Sequence, residues 1–505
     1  MNKISKKVFA CLLTMLLLTA TAAMAIPVQA EEPTEVLTEG VFIYEIADGA
    51  ITITGCTDSA EGKLEIPATI DDVPVTAIGT KAFYGNKKIT AVVIPASVST
   101  IGSQVFTDCV SLTAIEVDVD NVAYCDVGGV LFSKDKTRLL RFPARYTTGG
   151  YTIPDSVTTI GMEAFLGCVV TEIEIPRSVT EIESKAFHFA SGLTQVTLPD
   201  SITSIQFGVF SSCINLTLVN IPNSVTAVGE YAFSGCFALE KVVLPASVTT
   251  IGASAFSNCP VLKSVNIPQG VATIEKRTFY MCKSLPEIVL PDSVTTIGDR
   301  AFFFCDELKT VKMSKNNTSI GNEAFAGCYS LQDISLPDGL GAIGDQAFHY
   351  CIKLPAVTIP DTVTSIGYGA FAECSALAEA VVSSRVSALP AGAFRNCTKL
   401  ASVTLPRSVL SVGNDAFYGC KGLQQVRYAG STGDRIKITF DDGNKKMTTV
   451  EWVYGIQEDD PVAQVPQEPV DEGLPPWLIT TLYIAALLAA IGFLILLFRT
   501  KPSEY

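Results

Sequence analysis

The stretch Ser247–Pro260 reads SVTTIGASAFSNCP. Nearly the same words return as SVTAVGEYAFSGCF at Ser224–Phe237 and as SVTTIGDRAFFFCD at Ser293–Asp306. The Phe of each such unit falls at Phe83, Phe106, Phe165, Phe187, Phe210, Phe233, Phe256, Phe279, Phe302, Phe325, Phe348, Phe371, Phe394 and Phe417. From Phe187 to Phe417 the numbering rises by 23 at every step. A fixed period of this length marks stacked supersecondary units, so one long domain replaces the three that 505 residues would otherwise imply.

Each letter of the unit L-x-x-V-x-L-P-x-S-V-T-x-I-G-x-x-A-F-x-x-C has a physical task. Val and Leu two apart fit one face of a strand. The Pro that follows (Pro199, Pro222, Pro245, Pro268, Pro291) has no N–H to donate and turns the chain. Ser-Val-Thr-x-Ile gives a second short alternation. The three-residue spacing in Ala-Phe-x-x-Cys predicts one turn of α or 3₁₀ helix. The Gly before that turn recurs in ten of the fourteen units and is replaced by Glu183, Gln206, Glu275 and Pro390. The Pro ring fixes a negative φ, so the position does not require positive φ, and Gly serves there for close backbone approach. Such a unit cannot bury its apolar side alone, whereas stacked copies form a continuous core. Fourteen of them span roughly 65 Å at about 4.8 Å each.

These residues resemble the BspA-like leucine-rich repeats of bacterial surface proteins, as in LTQVTLPDSITSIQFGVFSSC at Leu193–Cys213. The resemblance covers about 40–455. It implies an N-terminal cap in 31–78, a solenoid over 79–423 with a hairpin insertion at about 118–150 (YCDVGGVLFSKDKTRLLRFPARY), and a C-terminal cap over 424–455. The expected fold class is an α/β, β-rich, right-handed solenoid. Departures are visible. Phe187 comes one position early after Phe165, and Ser314 and Ser383 stand where Pro ends the strand. The gap from Phe106 to Phe165 is wide enough for the hairpin and a degenerate coil.

The two ends read as addresses. Lys3, Lys6 and Lys7 precede an apolar run with small-residue sites ending at Ala25 and Ala30, which predicts a secretory signal peptide in 1–30 rather than an uncleaved anchor. Residues 477–498 carry no charge and are long enough to cross a bilayer. Arg499 and Lys501 after them place 499–505 in the cytoplasm and the body outside. The acidic, Pro-bearing 456–476 reads as an extended linker.

A net charge of −15 offers no basic face to nucleic acid. Twelve of the fifteen Cys stand three residues after a repeat Phe, and Ala190 and Asn86 fill the same slot in other units. Exported cysteines invite a disulfide reading, but a slot that tolerates Ala fits a reduced packing ladder better. No Cys/His spacing suits zinc. His188 and His349 lie seven units apart, about 34 Å at the strand spacing, and share no site. No glycine-rich loop opens a long helix to cradle phosphate. The carboxylates occupy variable positions, as a solvated surface would. Sequons at Asn215, Asn316, Asn317 and Asn396 bear only on a eukaryotic host. The expectation is a non-enzymatic chain without cofactor or metal.

Function then rests on surface. The residue between the strand Val and Leu points away from the core. Down the array this column reads Val93, Glu116, Glu174, Thr197, Asn220, Val243, Asn266, Val289, Lys312, Ser335, Thr358, Val381, Thr404 and Arg427. The hairpin adds a basic spot, Lys134, Lys136, Arg138, Arg141 and Arg145, which either meets an acidic partner or blunts an exposed edge. The family resemblance implies adhesion to host matrix or other cells through a protein or glycan ligand. The alternative is a structural envelope component without a ligand.

Overall fold

The computed structural model describes residues 37–146 and 151–456. The expected signal peptide, linker, membrane span and tail lie outside the described residues. Among the described residues no helix is long and apolar enough to cross a membrane.

Each coil has three segments. The first strand pairs in parallel with its counterpart one coil on, as Gln195–Thr197 does with Leu218–Asn220. The short second strand does the same, Ser204–Ile205 to Ala227–Val228 to Thr250–Ile251. Between them the Pro carbonyl accepts the N–H three residues on, as from Val248 to Pro245 at 3.1 Å, closing a turn. Ser of Ser-Val-Thr donates its hydroxyl to the preceding coil, Ser247 to the Val225 carbonyl at 2.6 Å, and Thr226 reaches the Thr203 carbonyl at 3.2 Å. The polar letters of the repeat are therefore cross-coil hydrogen bonds.

The third segment is not the helical turn its spacing predicted, and the α/β expectation gives way to a β-solenoid. Helix among the described residues is confined to Thr432–Arg435 and a 3₁₀ turn at Lys445–Thr448. Two residues per turn segment are left-handed, two before and two after the Phe: Ser254 (φ 56°) and Asn258 (φ 56°) around Phe256, Arg300 (φ 55°) and Phe304 (φ 52°) around Phe302. This reversal sends successive N–H groups alternately to their own coil and to the next. Ala255 donates to Gly252, while Phe256 donates to Thr278 at 3.0 Å. The preceding Gly is kept for proximity: a Cβ on Gly252 would sit 2.5 Å from the Glu230 nitrogen, and one on Gly367 only 2.3 Å from the Asp345 nitrogen.

Inside, the repeat Leu, Val, Ala, Phe and Cys are buried. The Phe rings from Phe187 to Phe417 stack with centroids 5.2–5.7 Å apart and planes within 17°. All fourteen described cysteines are unpaired thiols. Each ladder Sγ from Cys213 to Cys420 donates to the Phe carbonyl of the preceding coil, as Cys259 does to Phe233 at 3.2 Å. The slot thus wants a small apolar group carrying one weak donor. Asn86, at the same position in its coil, uses its Nδ2 on the Ala60 carbonyl instead.

The stack breaks once. Phe83 and Phe106 form one pair, and the ladder resumes at Phe142 against Phe165, 4.9 Å apart. Phe142 is the Phe of the degenerate coil: it stands one full period before Phe165 and donates to the Ala164 carbonyl as other repeat Phe residues do. Strands Tyr124–Val127, Val130–Ser133 and Arg138–Arg141 make an antiparallel meander between the two halves. Two apolar cores result, one from Phe42 to Leu131 and one from Val130 to Met447. At the C-terminal end Asn444 stands in for a further coil, its Oδ1 accepting from the Phe417 N–H at 3.1 Å and its Nδ2 donating to Gly413.

Candidate functional site

The parallel register puts the strand column in line: Thr197 beside Asn220, Val289 beside Lys312, and Thr358, Val381, Thr404 and Arg427 in succession. Thr197, Asn220, Val243, Asn266, Val289, Lys312, Ser335 and Thr358 are exposed. Several are already engaged within the molecule. Asn220 donates to the Thr197 hydroxyl at 3.0 Å, and Asn266 bonds both the N–H and the carbonyl of Leu244. Glu116 is half-buried and pairs with Lys63 at 2.7 Å. Val381 and Thr404 are half-buried. Arg427 is largely buried, 9% exposed, where a last strand, Glu451–Tyr454, pairs onto its own. Along this face a groove of about 1000 Å³ runs past Glu174 and Thr197.

The basic hairpin is also rearranged. Lys134, Lys136 and Arg145 are exposed, but the Lys134 ammonium donates to the Val119 carbonyl. Arg138 forms an ion pair with Glu183. Arg141 is buried, not a surface charge. It sits at the break between the cores, where its guanidinium donates to the carbonyls of Glu163 (2.7 Å), Phe106 (2.9 Å) and Leu166 (3.4 Å). The Phe106 carbonyl would otherwise meet a ladder thiol, so Arg141 replaces a missing Cys with a longer donor. A cavity of about 360 Å³ beside it is lined by Gln104, Thr107, Tyr124, Arg138 and Glu163.

His188 is half-buried with Nδ1 2.9 Å from the Ser211 carbonyl, and burial holds both His188 and His349 below the usual imidazole range. Among the described residues no group of three or more His, Cys, Asp or Glu side chains is placed to hold a metal ion. Burial pushes the ladder thiols up, Cys259 and Cys374 to about 12, which keeps them protonated and unreactive.

The sequence reading missed the turn segments as a surface. Tyr84, Phe189, Phe207, Tyr231, Phe237, Tyr350, Tyr368 and Tyr418 are exposed there, whereas the exposed aromatic elsewhere among the described residues is Tyr454. The signal was present as aromatics in the variable slots around each repeat Phe.

This architecture, parallel coils one sequence period long and closed around a Leu, Val and Phe core, defines a leucine-rich repeat β-solenoid. A family model for the BspA type leucine rich repeat region matches residues 64–126 and, in overlapping copies, 142–440. The chain belongs to that family. Among solved structures it is similar to a leucine-rich cell surface protein of Faecalibacterium prausnitzii, with 28% identity over 82% of this chain and 100% of that one, TM-score 0.43. A leucine-rich repeat protein of Bacteroides ovatus matches at 23% identity over 83% and 100%, TM-score 0.52. The pneumococcal vaccine antigen PcpA matches at 16% over 83% and 98%, TM-score 0.44. No curated protein matches the chain.

Proposed function

We propose that this chain is a bacterial surface recognition protein, exported by its N-terminal leader, held by the apolar segment 477–498, and adhering to a protein or glycan through the outside of its solenoid. The observation that carries this reading is the unbroken coil stack from Phe142 to Phe417, which spends the repeated residues on the core and frees the variable ones for contact. The F. prausnitzii relative is described as a cell surface protein, which supports the location. The experiment compares cells bearing the full chain with cells lacking it, on matrix proteins, other bacteria and arrayed glycans. Saturable binding by cells bearing the chain, above that of cells lacking it, supports recognition. Equal behaviour of both cell types on every surface leaves the structural envelope role instead.

A further inference from the structure

Between the coils of Phe279 and Phe348 the rings of the turn edge touch one another, with Tyr280, Phe303, Phe304 and Tyr329 half-buried and Tyr350 exposed. Tyr280 stacks on Phe303 with centroids 5.2 Å apart and planes 3° apart. Phe303 meets Phe304 edge-on at 4.5 Å, and Phe304 lies 5.8 Å from Tyr329. Tyr350 follows in the next coil, 44% exposed. Three successive coils thus join their half-buried rings into one aromatic strip, and the fourth adds the exposed Tyr350. Its backing is stiff: the left-handed residues Met281, Phe304 and Tyr350 belong to turns hydrogen-bonded to the next coil over the buried Phe stack.

The charges around the strip are unequal. Arg300 pairs with Glu323 at 2.6 Å, and Lys283 with Asp306 at 3.8 Å. Arg277 instead lies over the Tyr280 ring at 5.9 Å, and among the described residues neither it nor Lys276 has a carboxylate within 4.0 Å. In a chain of net charge −15, two cations without a carboxylate at one end of an aromatic strip form a local complement for negative charge.

We propose that this turn edge, rather than the strand column, is the docking face, and that its occupant is an acidic protein segment carrying an apolar anchor. The proposal rests on the recognition reading above and locates its contact. Tyr, Phe and Arg on a rigid support are the residues that anchor protein partners, and preorganisation removes the cost of ordering them. The anchor rests against Phe304, Tyr329 and Tyr350, and the carboxylates reach Arg277 and Lys276. A sugar needs a bare ring face, yet Tyr280 has Phe303 on it and Arg277 over its ring. A phosphate polymer needs many cations, and this strip offers two without a carboxylate within 4.0 Å among the described residues.

The test selects from a phage-displayed random dodecapeptide library on the full-length protein in detergent, then measures synthetic copies of the enriched peptides by fluorescence polarisation. The expected peptides carry Asp or Glu within a few residues of Trp, Phe or Leu. Their affinity falls tenfold or more for Tyr350→Ala and for Arg277→Glu, recovers in Arg277→Lys, and is unchanged in Thr358→Lys on the strand face. Thermal midpoints equal to the parent show that the variants fold. Loss of affinity in Thr358→Lys with none at the edge overturns this proposal and leaves recognition standing. Failure of any peptide to enrich overturns the proposal, and the cell-binding comparison above then judges recognition separately. Retention of the protein on chitin or mannan beads, abolished by Tyr350→Ala, assigns the edge to glycans and equally overturns it.

Discussion

Asn317 stands where other coils carry Val, Ile or Leu. Val294 and Val363 in the equivalent slot are fully buried and apolar, and Asn317 is as deeply buried, with neither its Oδ1 nor its Nδ2 hydrogen-bonded. Each unmade buried hydrogen bond costs about 1–3 kcal/mol, and the unfolded chain hydrates both ends of the amide. Replacing Asn317 with Val removes both penalties in a slot already shaped for a branched aliphatic. The expected gain is about 2 kcal/mol. Because each coil of a solenoid touches only its neighbours, the gain is local. Native-state hydrogen exchange of the Gly321 and Gly344 amides, both bonded to the preceding coil, should slow roughly thirtyfold, since each step of about 1.4 kcal/mol is tenfold. Amides near Phe83 should not change. Unchanged or faster exchange at Gly321 refutes the reasoning, because it would mean the amide is satisfied where it lies.

Further outcomes follow from the same geometry. The ladder thiols should ignore a thiol reagent at pH 8 in the folded protein and react once it is unfolded without reductant; fewer than about four reactive thiols would reject the reduced ladder. Alkali should unfold the solenoid. A thiol whose folded pKa is raised above the ordinary 9.0 keeps its proton while the unfolded chain loses it, so stability is full below pH 9 and falls as pH climbs toward about 12, the value reached by Cys259. The slope is up to about 1.4 kcal/mol per pH unit for each such thiol, and circular dichroism against pH reads it. Gly367→Ala should cost more than about 2 kcal/mol in urea unfolding, with its Cβ 2.3 Å from backbone, while Gly341→Ala, 3.5 Å from its nearest atom, should be close to neutral. Arg141→Met should strip three carbonyls of a donor, cost about 3 kcal/mol, and speed exchange near Phe106 and Phe165 but not beyond Phe256.

Much of the core was legible because the period exposes it. A Val, Phe or Cys that recurs at a fixed interval repeats its environment along with its number. What escaped lies where the period says nothing. Phe142 was hidden because the inserted hairpin pushes it well past the position that Phe106 would set. Arg141 read as a surface cation, since only the break in the stack shows the carbonyls it must satisfy. Arg427 read as exposed until the strand Glu451–Tyr454 closed over it. The helical turn was a natural reading of three-residue spacing, because spacing alone cannot tell a helix from linked turns with left-handed residues.

By itself the sequence determined that the chain is a stack of like coils and that Leu, Val, Phe and Cys face inward. Those conclusions depend on periodicity and composition, which are properties of the chain before it folds. The tertiary structure alone decided which hydrogen bonds link one coil to the next, where the stack breaks, and which variable side chains meet to form the aromatic turn edge. Residues such as Tyr280, Phe303 and Tyr329 are neighbours only once the coils are piled in register, so no local reading of the sequence brings them together.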